Sequence, residues 1–126
     1  MAQMVRESGE RNFRSSANYS AAGQYKIVAL VAGTQNDIVL ANAQTLPIIG
    51  VLLNAPAQYK EARVAMNQGT VKVLLGGTVT VGAYITADSA GLGIATTTGN
   101  DMVIGMALEA GDAADIVEVK LSFFRY

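Results

Sequence analysis

The chain has 126 residues and a formal net charge of −1, and it contains no His, Cys or Trp. This length predicts a single domain, and a charge close to zero argues against a nucleic-acid binder that neutralises phosphates. Without His and Cys, the sequence excludes Ser-His and Cys-His catalysis, zinc sites with nitrogen or sulfur ligands, and disulfide bonds. Hydrophobic residues make up 51% and charged residues 15%, which is too apolar for a disordered chain and lightly charged for a monomer's surface.

Residues 1–24 differ in composition from the rest of the chain, because charged and small polar side chains cluster there without apolar periodicity. We interpret them as an extended N-terminal arm without a core of its own, either disordered or ordered by a partner. Aromatic side chains are common interface anchors, so the aromatic residues in this arm favour the second alternative. The candidate residues for binding a neighbouring protein are Arg6, Arg11, Phe13, Arg14 and Tyr19.

From Tyr25 onward, short apolar and β-branched stretches alternate with turn signals roughly every eight to twelve residues. No stretch keeps a helical period over three turns, so residues 25–126 are predicted to form an all-β domain. The spacing is typical of a compact small barrel or sandwich-like domain of short strands. The predicted strands cover residues 25–32, 37–41, 48–54, 63–66, 71–74, 78–81, 83–86, 102–108 and 116–123, with a turn at 88–91.

No segment of the sequence has the pattern of a membrane span or of a leader. The longest apolar stretches, residues 27–32 and 46–53, are far shorter than the ~18 residues of a spanning helix. The N-terminus lacks the apolar segment of a signal peptide. We therefore expect synthesis in the cytoplasm and no membrane partner.

A weak internal repeat is present, since residues 48–55 resemble residues 103–110, which lie 55 positions later. The same offset aligns residues 62–65 with 117–120, so each copy contains a strand, a polar turn and a strand. A Gly interrupts the apolar run in both copies, which indicates a bulge or a close backbone approach. The similarity arises either by chance between apolar strands or from two related hairpins that pack around a pseudo-dyad.

Carboxylates close together in sequence are the remaining candidates for catalysis or for calcium binding. They span a predicted turn, and no apolar concave surface is apparent around them to shift a pKa. Their spacing does not match an EF-hand loop. We predict an exposed acidic loop, and hence no catalytic residue, cofactor or metal site. The residues are Glu109, Asp112, Asp115 and Glu118.

Several short motifs follow one another in a fixed order: PIIGVLLNAP at 47–56, GTVKV at 69–73, GGTVTVG at 76–82, TADSAG at 86–91 and IGMALEA at 104–110. This ordered set, over about residues 20–122, resembles the capsid cement (head decoration) proteins of tailed bacteriophages. The resemblance does not extend to residues 1–19, where no family motif is found.

The resemblance implies a structural virion protein without enzymatic activity. Such a protein binds the outer surface of an expanded phage head, commonly as a homotrimer, and holds neighbouring major capsid proteins together. It also implies a compact β fold with an N-terminal arm that reaches neighbouring subunits, and no cofactor.

Two other function classes remain at this point. A β-barrel carbohydrate- or receptor-binding module on the virion would need exposed aromatic side chains that stack on sugars. Tyr84 is the one aromatic residue between Tyr59 and Phe123, so the sequence offers a poor platform for sugars. A carboxylate-dependent hydrolase would need a pocket with a paired acid and base, which the sequence does not place.

Overall fold

The computed structural model describes residues 10–21, 23–31, 33, 36–42, 47–66 and 69–126. Ten strands and no helix are found among these residues, which confirms the predicted all-β class. The strands are β1 (Glu10–Ser15), β2 (Ile27–Leu30), β3 (Asp37–Leu40), β4 (Ile48–Leu52), β5 (Glu61–Ala65), β6 (Thr70–Leu74), β7 (Tyr84–Ala87), β8 (Gly93–Ala95), β9 (Met102–Ala107) and β10 (Ile116–Arg125).

The strands form two five-stranded sheets, one from each half of the chain. The first half, β1 to β5, closes into a barrel in the order β1-β3-β2-β4-β5. The second half, β6 to β10, has the order β6-β10-β9-β7-β8. When the strands of each half are numbered one to five along the chain, both halves have the same neighbour order, 3-2-4-5-1.

Alternation of side chains along the strands creates two hydrophobic clusters among the described residues. In β2, Val28 points into the first barrel, where it meets Phe13 and Leu52. Ile27 and Ala29 point the other way and join a larger cluster that contains most of the buried residues of the second half. Side chains along a strand alternate between the two faces of a sheet. In the first barrel, one face is buried inside the barrel and the other is buried against the second half. The two halves therefore share one core.

Three segments of the chain differ from the strand prediction. The first strand begins at Glu10 and not at Tyr25, because β1 pairs with β5 along its whole length and with β3 at its end. The expectation that the N-terminal segment has no core of its own is therefore wrong for residues 10–15. Residues 78–81, all of which the structure describes, form no strand, and Val79 makes a single bridge to Gly111. The short β8 was not predicted.

The ladders of the two halves match residue by residue. Across β1 and β5, Phe13 pairs with Ala62, and across β6 and β10, Val73 pairs with Val117. Residue numbers differ by 60 between β1 and β6, by 57 between β2 and β7, and by 55 for the remaining strands. Every antiparallel ladder of the first half thus has a counterpart of the same register in the second.

The weak sequence repeat belongs to this larger duplication. In the first copy Val51 pairs with Ala65, and 55 positions later Met106 pairs with Lys120. The parallel contact that closes the first barrel also has a counterpart, since Ser15 pairs with Ile38 and Leu75 forms an isolated parallel bridge to Gly93. A shared register over all ladders is not expected of unrelated apolar strands, so the two halves are structural repeats.

Backbone conformation supports the same equivalence. Gly adopts a positive φ readily, but other residues rarely do. Positions with a positive φ are therefore informative markers when two backbones are compared. Three positions with positive φ in the first half coincide with three in the second. The pairs are Tyr25 (68°) with Gly82 (86°), Asn36 (64°) with Gly91 (78°), and Tyr59 (64°) with Ala114 (72°).

Candidate binding surfaces

The structure assigns several of the predicted arm residues to the first barrel. Arg6 lies outside the described residues, and Arg11 is in β1 with its backbone opposite Val64. Phe13 is 5% exposed and packs inside the barrel with Val28 and Leu52. Because a partner cannot reach this ring without opening the barrel, Phe13 stabilises the fold of the chain itself.

Tyr19 is also engaged within the chain. Its ring is half-buried against the cluster inside the first barrel, and its hydroxyl oxygen accepts a hydrogen bond from the Leu40 backbone N–H at 3.1 Å. Its own backbone N–H donates to the Pro56 carbonyl at 2.8 Å. Tyr19 therefore ties the segment after β1 to β3 and to the loop before β5.

Arg14 forms an ion pair with Asp37. The guanidinium donates from Nε to Oδ1 of Asp37 at 2.7 Å and from Nη2 to Oδ2 at 2.8 Å. Its Cζ atom also lies 5.2 Å from the ring centroid of Tyr59. The carboxylate is buried, whereas the Arg14 and Tyr59 side chains are 54% and 61% exposed. These residues present a rigid cation and an aromatic ring at one end of the first barrel.

The ion pair shifts the pKa of each partner in the direction that keeps the partner charged. The hydrogen bonds from Arg14, with its positive charge, lower the pKa of Asp37 despite the burial of that carboxylate. The same contact raises the pKa of Arg14. Both groups therefore stay ionised at neutral pH, and the pair acts as a fixed structural link between β1 and β3.

A second exposed surface lies on the second half and contains three aromatic rings. Tyr84 contacts Phe124 with ring centroids 5.1 Å apart and Tyr126 with centroids 6.0 Å apart, both edge to face. The three side chains are between 37% and 46% exposed. Sequence reasoning missed this cluster, because Tyr84 lies 40 residues before Phe124 and only the pairing of β7, β9 and β10 brings them together. The sequence signal for this cluster was the adjacent pair Phe123 and Phe124 at the end of β10, since one of two adjacent side chains in a strand points to each face.

A cleft of 570 Å³ lies where the two halves meet. Its walls are mostly apolar and include Leu74, Leu92 and Ala114 from the second half. Ala21 and Lys26, from the segment that follows β1, line the other side. The Leu74 backbone N–H donates to the Tyr25 carbonyl at 3.0 Å near this cleft.

The predicted acidic loop is exposed, as expected, and its carboxylates accept hydrogen bonds from neighbouring groups. Glu109 Oε1 accepts from the Glu118 N–H at 2.9 Å, and Asp115 Oδ2 accepts from the Asp112 N–H at 2.9 Å. Asp112 also accepts from the Thr78 hydroxyl at 3.2 Å. These bonds fix the turn between β9 and β10. Within the described part of the chain, no group of three or more acidic residues is arranged to hold a metal ion.

The part of the chain that the structure describes contains no helix long and apolar enough to cross a membrane.

Comparison with known proteins identifies the fold. No protein-family model matches the chain, and no curated protein matches it. Among solved structures, the chain is similar to the N base of the head fiber protein gp8.5 of bacteriophage phi29. The TM-score is 0.70 with 22% sequence identity, and the similarity covers 90% of this chain and 92% of the other. The resemblance to phage head decoration proteins is thus confirmed at the level of fold, and this chain has the fold of a phage head-fiber base.

Proposed function

We propose that this protein is a non-enzymatic structural component of a tailed-phage virion that binds the outer surface of the head. The observation that carries the proposal is the fold similarity to a phage head-fiber base over nine-tenths of the chain. The ordered sequence motifs support it independently, because they resemble those of head decoration proteins. Self-association, with a homotrimer as the expected state, belongs to the same proposal.

The proposed mechanism is cementing. A protein that contacts two neighbouring major capsid proteins binds the assembled head and not the separated subunits. Its binding free energy therefore stabilises the assembled state by mass action. Two repeats packed around a shared hydrophobic cluster suit this role, because little chain entropy is lost when a preorganised surface binds.

The proposed capsid contact includes the N-terminal residues 1–9, with Arg6, and the exposed Arg14 side chain is proposed to contact a neighbouring protein of the assembly. Arg is enriched among interface residues that contribute strongly to binding. The arginine at position 14 is held by Asp37, so its guanidinium is oriented before a partner arrives. Phe13 and Tyr19 support this surface from inside the first barrel.

The test uses phage heads that lack this protein. Purified chain is added, bound protein is separated by sedimentation, and the temperature at which the heads release their DNA is measured. Saturable binding and a higher release temperature are expected. Bound protein without any gain in heat resistance would contradict the cementing mechanism, and absence of binding would contradict the proposed function.

A matched control removes charge from the exposed acidic loop. The triple variant Asp112→Asn, Asp115→Asn, Glu118→Gln should bind heads as the unaltered chain does, because changes at exposed positions usually cost within about 0.5 kcal/mol. Loss of head binding in this variant would show that the acidic loop is part of the capsid contact.

The aromatic cluster favours a second candidate, a carbohydrate-binding module. Aromatic rings can stack on sugars, and Tyr84, Phe124 and Tyr126 are exposed together. Their geometry speaks against it, because the Tyr84 and Phe124 planes meet at 87° and form no flat platform. Titration of tyrosine fluorescence with host-surface polysaccharide decides between the two. Saturable quenching that is lost in Tyr84→Ala would support the carbohydrate function.

A further inference from the structure

The two structural repeats differ in the exposure of one row of side chains, which we name the central row. It runs across the second, fourth and fifth strands of each half at matching ladder positions. In the first half it consists of Ile27, Val51 and Ala65, all of them buried. In the second half it consists of Tyr84, Met106 and Lys120. Tyr84 is 41% exposed and Lys120 is exposed.

The second half of the same chain covers the first central row. All three row residues belong to the hydrophobic cluster that they share with second-half side chains such as Val71 and Leu121. The Ile27 backbone N–H donates to the Gly91 carbonyl at 2.7 Å. Strand β4, which carries Val51, contacts β9 of the second half. One repeat thus packs its central row against a defined face of the other.

That face of the second half includes Gly91, whose carbonyl accepts the hydrogen bond from Ile27, and Leu74, Leu92 and Ala114, which line the cleft beside it. The matching positions in the first half form what we name the Arg14 face. Nothing within the described part of the chain packs a central row against it. Its residues are Arg14, Asn36, Asp37 and Tyr59.

We propose that the central row of the second half docks onto the Arg14 face of a second copy of this chain. The contact would repeat between molecules the packing that joins the two halves within one molecule. It deepens the self-association contained in the proposed function by naming the two surfaces, and it does not depend on capsid binding.

Exposed apolar side chains around the second row support this assignment. Val81 is 68% exposed and occupies the place of the 21–24 segment, which lines the junction cleft in the first half. Leu108 is 40% exposed, whereas its counterpart Leu53 is half-buried against the shared cluster. The counterparts of both residues thus contact the other repeat. Large exposed apolar side chains grouped on one face indicate a covered surface.

The chemistry of the two faces also fits association between separate molecules. The junction inside the chain uses Ile, Val, Ala and Leu, and its central-row residues are buried. The proposed surfaces replace these residues with Tyr, Met, Lys and Arg. Tyr, Met and Arg are enriched in protein interfaces, because they combine apolar contact area with a polar group. Such surfaces remain soluble in the free molecule.

This contact is heterologous, because the two molecules use different faces. Repetition of a heterologous contact leads to a closed ring or to an open filament, depending on the rotation between copies. Each chain contributes two equivalent structural repeats, so a closed ring of n chains would contain 2n repeats with similar contacts around it. A trimeric ring would thus place six repeats around one axis.

The test is sedimentation velocity of the full chain, without capsid, up to about 100 µM, where even weak interfaces associate. Association above the 13.1 kDa monomer is expected. Val81→Asp in the second half and Tyr59→Asp on the Arg14 face should each weaken association by about tenfold or more. Asp tolerates the positive φ at position 59. Leu108→Asp provides a second variant on the Val81 side, and circular dichroism confirms the fold of each.

A mixture of two variants distinguishes this contact from a symmetric one. Val81→Asp chains keep an intact Arg14 face and Tyr59→Asp chains keep an intact central row, so an equimolar mixture should form a heterodimer. Ile116→Glu is the matched control, because Ile116 is exposed at the start of β10, four residues before Lys120, and Glu61 occupies the equivalent position. It should associate as the unaltered chain does.

Three results would overturn the proposal. These are a monomer at every concentration, an effect of Val81→Asp without an effect of Tyr59→Asp, and a mixture that does not form a heterodimer. Since no heads are present, each of these results leaves the test of capsid binding unaffected.

Discussion

Individual residues are most constrained where β4 and β9 pass close to a neighbouring backbone. A Cβ atom at Gly50 would collide with the Ala65 carbonyl oxygen, and one at Gly105 would collide with the Lys120 carbonyl oxygen. Gly50 and Gly105 occupy matching positions in the two repeats, and so do Ala65 and Lys120, whose carbonyl oxygens they approach. The interpretation of the sequence that each Gly marks a close backbone approach is therefore confirmed. A backbone atom cannot move aside as a flexible side chain can.

We expect Gly105→Ala to lower the free energy of unfolding by ~2 kcal/mol or more, since it forces β9 and β10 apart. In a domain of this size that loss corresponds to a fall in melting temperature of about 7 °C. Thermal unfolding followed by circular dichroism measures it. Gly99→Ala is the control, because nothing lies within 4 Å of a Cβ there, and it should be close to neutral.

The ion pair between Arg14 and Asp37 predicts a dependence of stability on pH. The pKa of Asp37 is lowered in the folded protein from an ordinary value of 3.8, so the pair's full contribution is present above that value. The contribution is lost as the pH falls below 3.8 and through the lower folded pKa. Urea unfolding of the unaltered chain and of Asp37→Asn should show a stability difference that shrinks between pH 6 and pH 2.

Glu118→Gln is the control for this experiment, because Glu118 is exposed on β10. A stability difference between the unaltered chain and Asp37→Asn that stays constant over this pH range would show that the ion pair does not contribute.

At the level of elements, β1 shows how a polar sequence becomes part of a core. Its sequence, ERNFRS, contains one apolar residue, so periodicity could not identify it as a strand. The strand forms because β5 and β3 offer unpaired edges on either side, and its insertion closes the barrel. Closure removes both edges and satisfies their backbone hydrogen-bonding groups. The N-terminal segment is thus folded from Glu10 onward.

Two N-terminal deletions distinguish residues that bind a partner from residues that form a strand of the fold. Removal of residues 1–9 leaves all ten strands, so the chain should fold and show weaker attachment to heads. Removal of residues 1–19 also removes β1 and Phe13. Loss of a buried Phe side chain alone costs about 3–5 kcal/mol, against a total stability of about 5–15 kcal/mol. We expect the longer deletion to unfold the chain, because the two halves share a hydrophobic cluster.

Circular dichroism and sedimentation with heads measure both outcomes. A folded product of the longer deletion would contradict the assignment of β1 to the core. Undiminished head binding of the shorter one would contradict a role of residues 1–9 in the capsid contact.

At the scale of the whole molecule, the shared cluster couples the two repeats. Ile27 and Val51 of the first half are buried together with Val73 and Ile85 of the second. Neither half can bury its apolar surface alone, because each supplies part of the other's core. The repeats therefore form one folding unit, although each has its own five-stranded sheet.

We expect a single cooperative unfolding transition. Differential scanning calorimetry should give equal calorimetric and van't Hoff enthalpies, as for a two-state domain. Val51→Ala should lower the melting temperature of the whole chain without separating the transition into two. Two resolved transitions would mean that the halves are independent domains.

The sequence by itself determined the all-β class, most of the strands of residues 25–126, the turn at 88–91 and the two constrained glycines. These features depend on local patterns, namely alternation of apolar residues and the conformational freedom of Gly. The resemblance in motifs also pointed to the phage head-associated fold. Contacts between residues that are distant in sequence were decided by the tertiary structure, because local patterns carry no information about them. It placed β1 in a barrel, because pairing edges come from distant strands, and it left Val79 and Val81 without a full ladder. It brought Tyr84 next to Phe124 and extended a weak repeat of two strands to five. The exposure of the two central rows differs for the same reason, since burial depends on which face a neighbouring unit covers.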